Sequence, residues 1–270
     1  MRKNYPEIIY KYRDYTNQFH RNLLIRNQLF LASPLSFNDP FDCYIPPNFR
    51  LLDTKVKKEE WVNKTAIAGF DLFEKSGMNL EERMNVLDDR LENDIDGFQK
   101  EFNENFYQKQ SDYLGVISFS ERWDSILMWS HYSKSHTGFC LGIFEEKLRS
   151  SGEFIVGGKV QYSNEDEYPE RSPLDELTLI KSFDLTHHKS SDWSYEKEYR
   201  IIKMFHPHIP TPEGRICIIP DSFIAEYIIG VRAPEDCKQH IIQLANEKRK
   251  PVYQIEQVPF KFKVSRKLLN

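Results

Sequence analysis

The chain is poor in glycine, with 11 in 270 residues. A phosphate-cradling loop would need those few clustered, and neither G-x-G-x-x-G nor G-x-S-x-G occurs. The stretch Gly152-Glu153-Phe154-Ile155-Val156-Gly157-Gly158-Lys159 imitates a nucleotide triphosphate loop. It fails as one: a glycine stands where lysine belongs, and Val160 follows instead of Ser or Thr. Its apolar neighbours instead predict a hairpin in which Phe154-Ile155-Val156 and Val160-Gln161-Tyr162 flank Gly157-Gly158. Paired cysteines are missing too. Cys43, Cys140, Cys217 and Cys237 are far apart and form no C-x-x-C, which excludes a zinc ribbon and predicts free thiols. Long apolar runs are absent: Tyr227-Ile228-Ile229-Gly230-Val231 is far short of the roughly 20 residues that span a bilayer. With no apolar stretch at the N-terminus, a cytoplasmic protein without a membrane partner is expected. A basic excess is also lacking. The net charge is −4, so nucleic-acid contact is possible only through a local patch and is not indicated by charge.

Aromatics are abundant instead, with Phe 19, Tyr 14 and Trp 4. Ile8-Ile9-Tyr10-Lys11-Tyr12-Arg13 reads as a strand, followed by a helix over 17–26 capped by Asp14 or Thr16. Leu29-Phe30-Leu31-Ala32 is a second strand, ended by Ser33-Pro34 and the turn chemistry of Phe37-Asn38-Asp39-Pro40-Phe41-Asp42. Asn79 and Glu82 form a capping box ahead of Met84, Leu87, Leu91, Ile95, Phe98, Phe102 and Phe106. Steps of three and four predict one long amphipathic helix over 79–106, with nine acidic and three basic residues.

Further strands are expected at 114–120, 138–143, 199–205, 215–219, 227–231, 252–255 and 260–264. Helices are expected at 125–132, 177–185 and 234–249. The order implies one α+β domain over 1–270, its β core split by a helical insertion at about 52–111.

Several strings resemble the bacterial domain-of-unknown-function family twenty-nine seventy-one. They are Tyr10-Lys11-Tyr12-Arg13, Phe37-Asn38-Asp39-Pro40-Phe41-Asp42, Ser118-Phe119-Ser120-Glu121 with Ile126-Leu127-Met128-Trp129-Ser130-His131-Tyr132, Gly138-Phe139-Cys140, and Trp193-Ser194-Tyr195-Glu196-Lys197-Glu198-Tyr199-Arg200. A second resemblance is to ADP-ribosyltransferases, in the order of parts. An Arg stands on the first strand, serines on a middle strand, and a Glu at the start of a late strand with another two residues before it. This resemblance implies a mixed or antiparallel β core that binds NAD as substrate. It implies ADP-ribose transfer to an unknown macromolecular acceptor or NAD hydrolysis, and a toxin or defence role.

In that reading Glu198 stabilises an oxocarbenium-like transition state, as a carboxylate does in glycoside hydrolysis. Glu196 shares its face if the strand begins early, and orients or deprotonates the acceptor. Arg13 grips the pyrophosphate, because a planar two-pronged donor suits phosphate oxygens. Ser118 and Ser120, two apart on one strand, face one side and hold the carboxylate. Tyr12, Trp193 or Tyr195 stacks on nicotinamide or adenine. Asn38 and Asp39 close over the nucleotide or only shape a turn. His131 and Tyr132 lie on the following helix, His131 either as a cleft residue able to handle protons or as a packed imidazole.

Two other readings stand beside it. A metal-dependent nuclease would use Glu121, Asp124 and His131, or Asp184, His187, His188 and Asp192, though neither set has a recognised ligand spacing. A non-enzymatic binding module would dock through the acidic helix 79–106 or the basic residues 247–270, which carry seven basic and two acidic side chains.

Overall fold

The computed structural model describes residues 5–68, 76–154, 156–176 and 178–270. Ile155 and Leu177, which the sequence places in a strand and a helix, lie outside them. The elements run β1 (Ile8–Arg13), α1 (Gln18–Ile25), β2 (Gln28–Phe30), α2 (Lys55–Ala68), α3 (Leu80–Asn93), α4 (Ile95–Tyr113), β3 (Leu114–Ser120), α5 (Ile126–Tyr132), β4 (Phe139–Phe144) and α6 (Glu145–Arg149). Then come β5 (Val156–Lys159), β6 (Gln161–Ser163), α7 (Leu179–Thr186), β7 (His188–Ser190), β8 (Glu198–Met204), β9 (Ile216–Ile218), β10 (Ile224–Ile229), α8 (Glu235–Glu247), β11 (Val252–Gln257) and β12 (Val264–Leu268).

Eight strands form one sheet in the order β12-β11-β10-β4-β1-β3-β8-β5. Only β10 and β11 pair in parallel, across α8; the other pairs are antiparallel. The α+β class with a mostly antiparallel core is therefore as expected. Strands β2 and β9 make a two-stranded sheet, as do β6 and β7.

The sheet is continuous at most seams and open at one. Six residue pairs register β1 on β4, and seven register β3 on β8. Between β1 and β3 only Tyr10 and Ser120 are in register. Beyond that pair the two halves part, and the ends of β1 and β3 become the walls of a cleft.

The helices α2 to α4 carry an apolar cluster of their own, with Phe49, Trp61, Leu87, Leu91 and Phe98 buried in it. The single helix expected over 79–106 is in fact two. Asp94 ends α3 with non-helical backbone angles and starts α4 by accepting a hydrogen bond from the Gly97 amide at 3.2 Å. The apolar series continues across the break because both helices face the same cluster. The Asn79–Glu82 capping box forms as expected. The cap of α1 is Asn17, which accepts from the Phe19 and His20 amides, not Asp14 or Thr16.

Two strand predictions change. Gly157 and Gly158 lie inside β5, which pairs with β8, while β6 turns away to pair in parallel with β7. The glycines serve close approach, not a hairpin turn. A Cβ on Gly157 would sit 2.7 Å from Ile201 Cδ1, and one on Gly158 2.5 Å from Phe183 Cζ. At the C-terminus, the residues expected as a strand over 260–264 are the tip between β11 and β12, and pairing begins only at Val264. Phe260 has a φ of 59°, which no strand accommodates.

Candidate functional site

The cleft between β1 and β3 holds a cavity of about 900 Å³. Its walls include Arg13, Tyr12, Asn38, Ser118, His131, Tyr132, Trp193, Glu196 and Glu198. Most of the residues that the sequence singles out are thus brought to one place from five separate stretches of chain.

Its floor is a buried charge cluster. Arg200 lies two residues after Glu198 on β8, on the same face. Its Nε donates to Glu198 Oε1 at 2.7 Å and its Nη2 to Oε2 at 2.9 Å, a two-pronged pair. The same Nη2 reaches the Asp42 carboxylate at 2.7 Å, and Nη1 donates to the Thr186 carbonyl at 2.6 Å. Lys189 Nζ donates to Glu196 Oε2 at 2.8 Å and to Glu198 Oε2 at 3.2 Å, and lies 3.3 Å from Asp42. Tyr132 donates its hydroxyl hydrogen to Glu196 Oε1. Three carboxylates face two cations, so the cluster carries one surplus negative charge when all are ionised.

Burial and these partners set the proton affinities. Burial resists ionisation of Glu198, but Arg200 and then Lys189 outweigh it and hold the carboxyl well below its ordinary range. The Ser118 hydroxyl adds to that lowering. Glu196 is pushed up, by burial and by the Glu198 charge, with Lys189 opposing. Burial lowers Lys189, yet Glu198, Asp42 and Glu196 together raise it above an ordinary lysine.

The β1 side of the cavity is cationic. Lys11 and Arg13 alternate on β1 and both line the cavity. Among the described residues neither forms an ion pair with a carboxylate. Lys11 Nζ donates to the Ser118 carbonyl across the open seam. Arg13 Nη1 donates to the Tyr12 carbonyl at 3.3 Å. Burial, then the Arg13 charge, pulls Lys11 well below an ordinary lysine, with Glu198 and Glu196 opposing, and burial brings Arg13 down to about 10.

The local structure explains how Glu196 joins the cluster. It does not share a strand face with Glu198, because β8 starts only at Glu198. Residues Ser191–Glu196 form a 3-10 turn, and Lys197 follows with a φ of 44°. That left-handed residue reverses the chain so that both carboxylates meet Lys189. Ser120 anchors the turn by donating to the Glu196 carbonyl at 2.6 Å. It is buried and does not line the cavity, so the two serines do not point into one cleft. The divergence of β1 and β3 starts beyond Ser120 and exposes only Ser118.

Other expected residues divide similarly. Tyr12 packs edge-to-face on buried Trp129 at 5.1 Å and donates to the Arg122 carbonyl, so its ring is tied into the core. Asp39 is buried and accepts from the Phe41 amide at 2.9 Å, a turn role. Asn38 stays exposed at the cavity wall. His131 is exposed 6.1 Å from the Tyr195 ring, and Trp193 receives Lys189 Nζ 4.8 Å from its centroid.

The clusters considered for a metal do not assemble. Glu121 is paired with Lys159 and Asp124 with Arg122, while His187 is buried and stacked on Phe183 at 3.7 Å. Among the described residues no three His, Cys, Asp or Glu side chains gather as ligands. No described helix is long and apolar enough to cross a membrane.

Asp42, Lys189, Arg200 and Lys11 were not marked as site residues by sequence reasoning. Three of them lie inside strings already singled out there: Asp42 in Phe37–Asp42, Arg200 beside Glu198, and Lys11 beside Arg13. Lys189 had no signal, since a lysine in a polar stretch reads as surface.

No curated protein and no solved structure matches the chain. Residues 128–201 match the model of a family described as "Protein of unknown function (DUF2971)". The matched stretch holds the acidic cluster's Glu196, Glu198, Lys189 and Arg200, while Asp42 and the cationic wall on β1 lie outside it. The family resemblance read from the sequence is borne out there: residues 128–201 are similar to the DUF2971 family.

Proposed function

We propose that the cleft binds NAD and breaks its bond between nicotinamide and ribose, passing ADP-ribose to water or to a macromolecular acceptor. The observation that carries this is the polarity of the cavity. Glu196 and Glu198 belong to a cluster with surplus negative charge, and Lys11 and Arg13 on β1 form no direct ion pair with a carboxylate among the described residues. NAD has the complementary pattern: a cationic nicotinamide ring at one end and a dianionic pyrophosphate between its nucleosides. The pyrophosphate supplies the charge that Lys11 and Arg13 lack, and desolvation strengthens that pairing. A cavity of this size lies within the range of small-molecule sites.

In the reaction the bond between ribose C1′ and nicotinamide N1 breaks, and its electron pair goes to the ring nitrogen, which becomes neutral. Positive charge moves onto the ribose. Glu198, ionised at any ordinary pH and fixed by Arg200 and Lys189, stabilises that charge more than it stabilises the ground state. The acceptor forms the new bond at C1′ and gives its proton to Glu196, whose raised proton affinity suits a base. Tyr132 orients that carboxylate.

The test is incubation with NAD and measurement of nicotinamide released, for the wild type and for Glu198→Gln. Release by the wild type, abolished by the variant, is expected. Absence of both release and calorimetric NAD binding by the wild type overturns the reading.

A further inference from the structure

The β11–β12 hairpin ends in Val258-Pro259-Phe260-Lys261-Phe262-Lys263. Phe260 is 108% exposed and Phe262 104%, the two most exposed large hydrophobic side chains described. Scattered single apolar residues on a surface need no explanation, but two bare phenylalanines one residue apart do. They are not loose. The Val258 amide donates to the Lys263 carbonyl at 3.0 Å, and the Lys261 amide to the Val258 carbonyl at 3.2 Å. Phe260 is held at a φ of 59°, a conformation bulky side chains rarely adopt. A turn with glycine at that position would close the hairpin without strain and without a ring. Here the strained position instead presents one to solvent.

Lysines alternate with the rings. Lys261 and Lys263 are exposed, and Lys267 follows on β12 beside Arg266, which is paired with Glu226. The tip stands beside the start of α5: the Asp124 carboxyl, lowered chiefly by Arg122, also feels the Lys263 charge, and Val264 packs in the same cluster as Met128 and Trp129. At that end of α5, Ile126 and Leu127 are also exposed.

We propose that this tip is a peripheral membrane anchor, inserting Phe260 and Phe262 into the interface of a bilayer rich in anionic lipid while Lys261 and Lys263 meet the headgroups. Phenyl rings gain by leaving water, and long lysine stems keep their charge at the polar boundary. Each lysine near an anionic surface adds attraction. The exposure selects this occupant: both rings and both lysines stand exposed at the end of a hairpin. Its sign selects it too, because the chain as a whole is acidic and only a local basic tip can meet an anionic surface. A peripheral anchor of this kind needs no spanning helix. It goes beyond the proposed chemistry of the cleft and does not depend on it.

Co-sedimentation of the full chain with phosphatidylcholine vesicles, and with vesicles of phosphatidylcholine and phosphatidylserine, tests the assignment. Binding to the mixed vesicles, weaker at high salt, is expected. The double variant Phe260→Ser, Phe262→Ser should lose at least about tenfold of that binding, since each ring buries a large apolar area. Lys261→Glu with Lys263→Glu should abolish the preference for anionic vesicles. Because all four side chains project outward, near-UV circular dichroism should match the wild type. No binding of the wild type to mixed vesicles, or equal binding by the double serine variant, overturns the proposal. So does a result in which the serine variant loses only oligothymidine binding or only self-association, which would make the tip a nucleic-acid or protein contact.

Discussion

Lys189 stands between Glu196 and Glu198, its Nζ 2.8 Å from one carboxylate and 3.2 Å from the other. A single buried ammonium thus holds two acids in one place while leaving them unequal. Glu198 has Arg200 as well and stays ionised; Glu196 has Tyr132 besides and keeps its proton more readily. Divergent proton affinities in adjacent carboxyls are what a division of labour between a charge stabiliser and a base requires.

Glu198 and Arg200 should therefore fail in different ways. Glu198→Gln keeps the shape of the side chain and is expected to cut nicotinamide release by about 100-fold or more. Arg200→Met leaves Glu198 and Asp42 buried with only Lys189, and is expected to cost about 3–5 kcal/mol of folding stability. Urea denaturation of both variants beside the release assay separates the two effects. Equal stability losses would mean that Glu198 is chiefly structural.

Lys11 should matter for the dinucleotide more than for the fold. Its ammonium is buried without a carboxylate partner, so Lys11→Met should leave stability nearly unchanged or raise it. NAD affinity by calorimetry should fall about tenfold, the size of a lost charge-assisted hydrogen bond. Unchanged affinity would remove Lys11 from the site.

Acid should weaken the protein beginning near neutrality. Burial, then the Arg200 charge, lowers His187 to about 4 from its ordinary 6.5. Between those values the unfolded chain binds a proton that the folded one refuses. Stability is therefore full above pH 6.5 and falls as the pH drops toward 4, by about 3 kcal/mol from this residue. Below 4.5 the depressed Glu198 adds to the loss, since its contribution is present above that pH and disappears as the carboxyl protonates. Urea midpoints at a series of pH values, repeated for His187→Leu, test this. Burial lowers His20 to about 4 as well, so the variant should lose part of the slope between pH 6.5 and 4.5, and a slope it retains undiminished would place the titration elsewhere.

Gly138 should be intolerant of even a methyl group. A Cβ there would lie 2.1 Å from the Arg13 carbonyl oxygen and 3.1 Å from that of Ser133, both backbone atoms. Gly138→Ala is expected to push the end of β1 outward, costing about 1–3 kcal/mol and weakening NAD binding through the displaced Arg13. Calorimetry and thermal melts measure the two losses. A variant with wild-type affinity would show that the end of β1 does not position the ligand.

Much of the fold is written in local sequence. β1, β3, β4, β8 and β10 lie close to where β-branched and aromatic runs place them, and α5, α8 and the Asn79 capping box follow from spacing and cap chemistry. Arg13, Ser118, Glu196 and Glu198 stand out because their order along the chain carries a pattern. The double helix around Asp94 and the strand position of Gly157-Gly158 were not legible. An apolar period survives a bend when both halves face one core, and a glycine pair marks a turn and a close approach with the same letters.

What the sequence alone determined is where most of the strands and helices fall, that no glycine loop or paired-cysteine site is available, and which charged residues fall near one another on β1 and β8. Periodicity and chain order are local properties, so they can be read without coordinates. The opening of the sheet after Tyr10 and Ser120, the recruitment of Lys189, and the union of Asp42 with Arg200 across 158 residues were decided only by tertiary structure. Sheet register determines which distant side chains share a floor, and burial then forces the charges gathered there to neutralise one another.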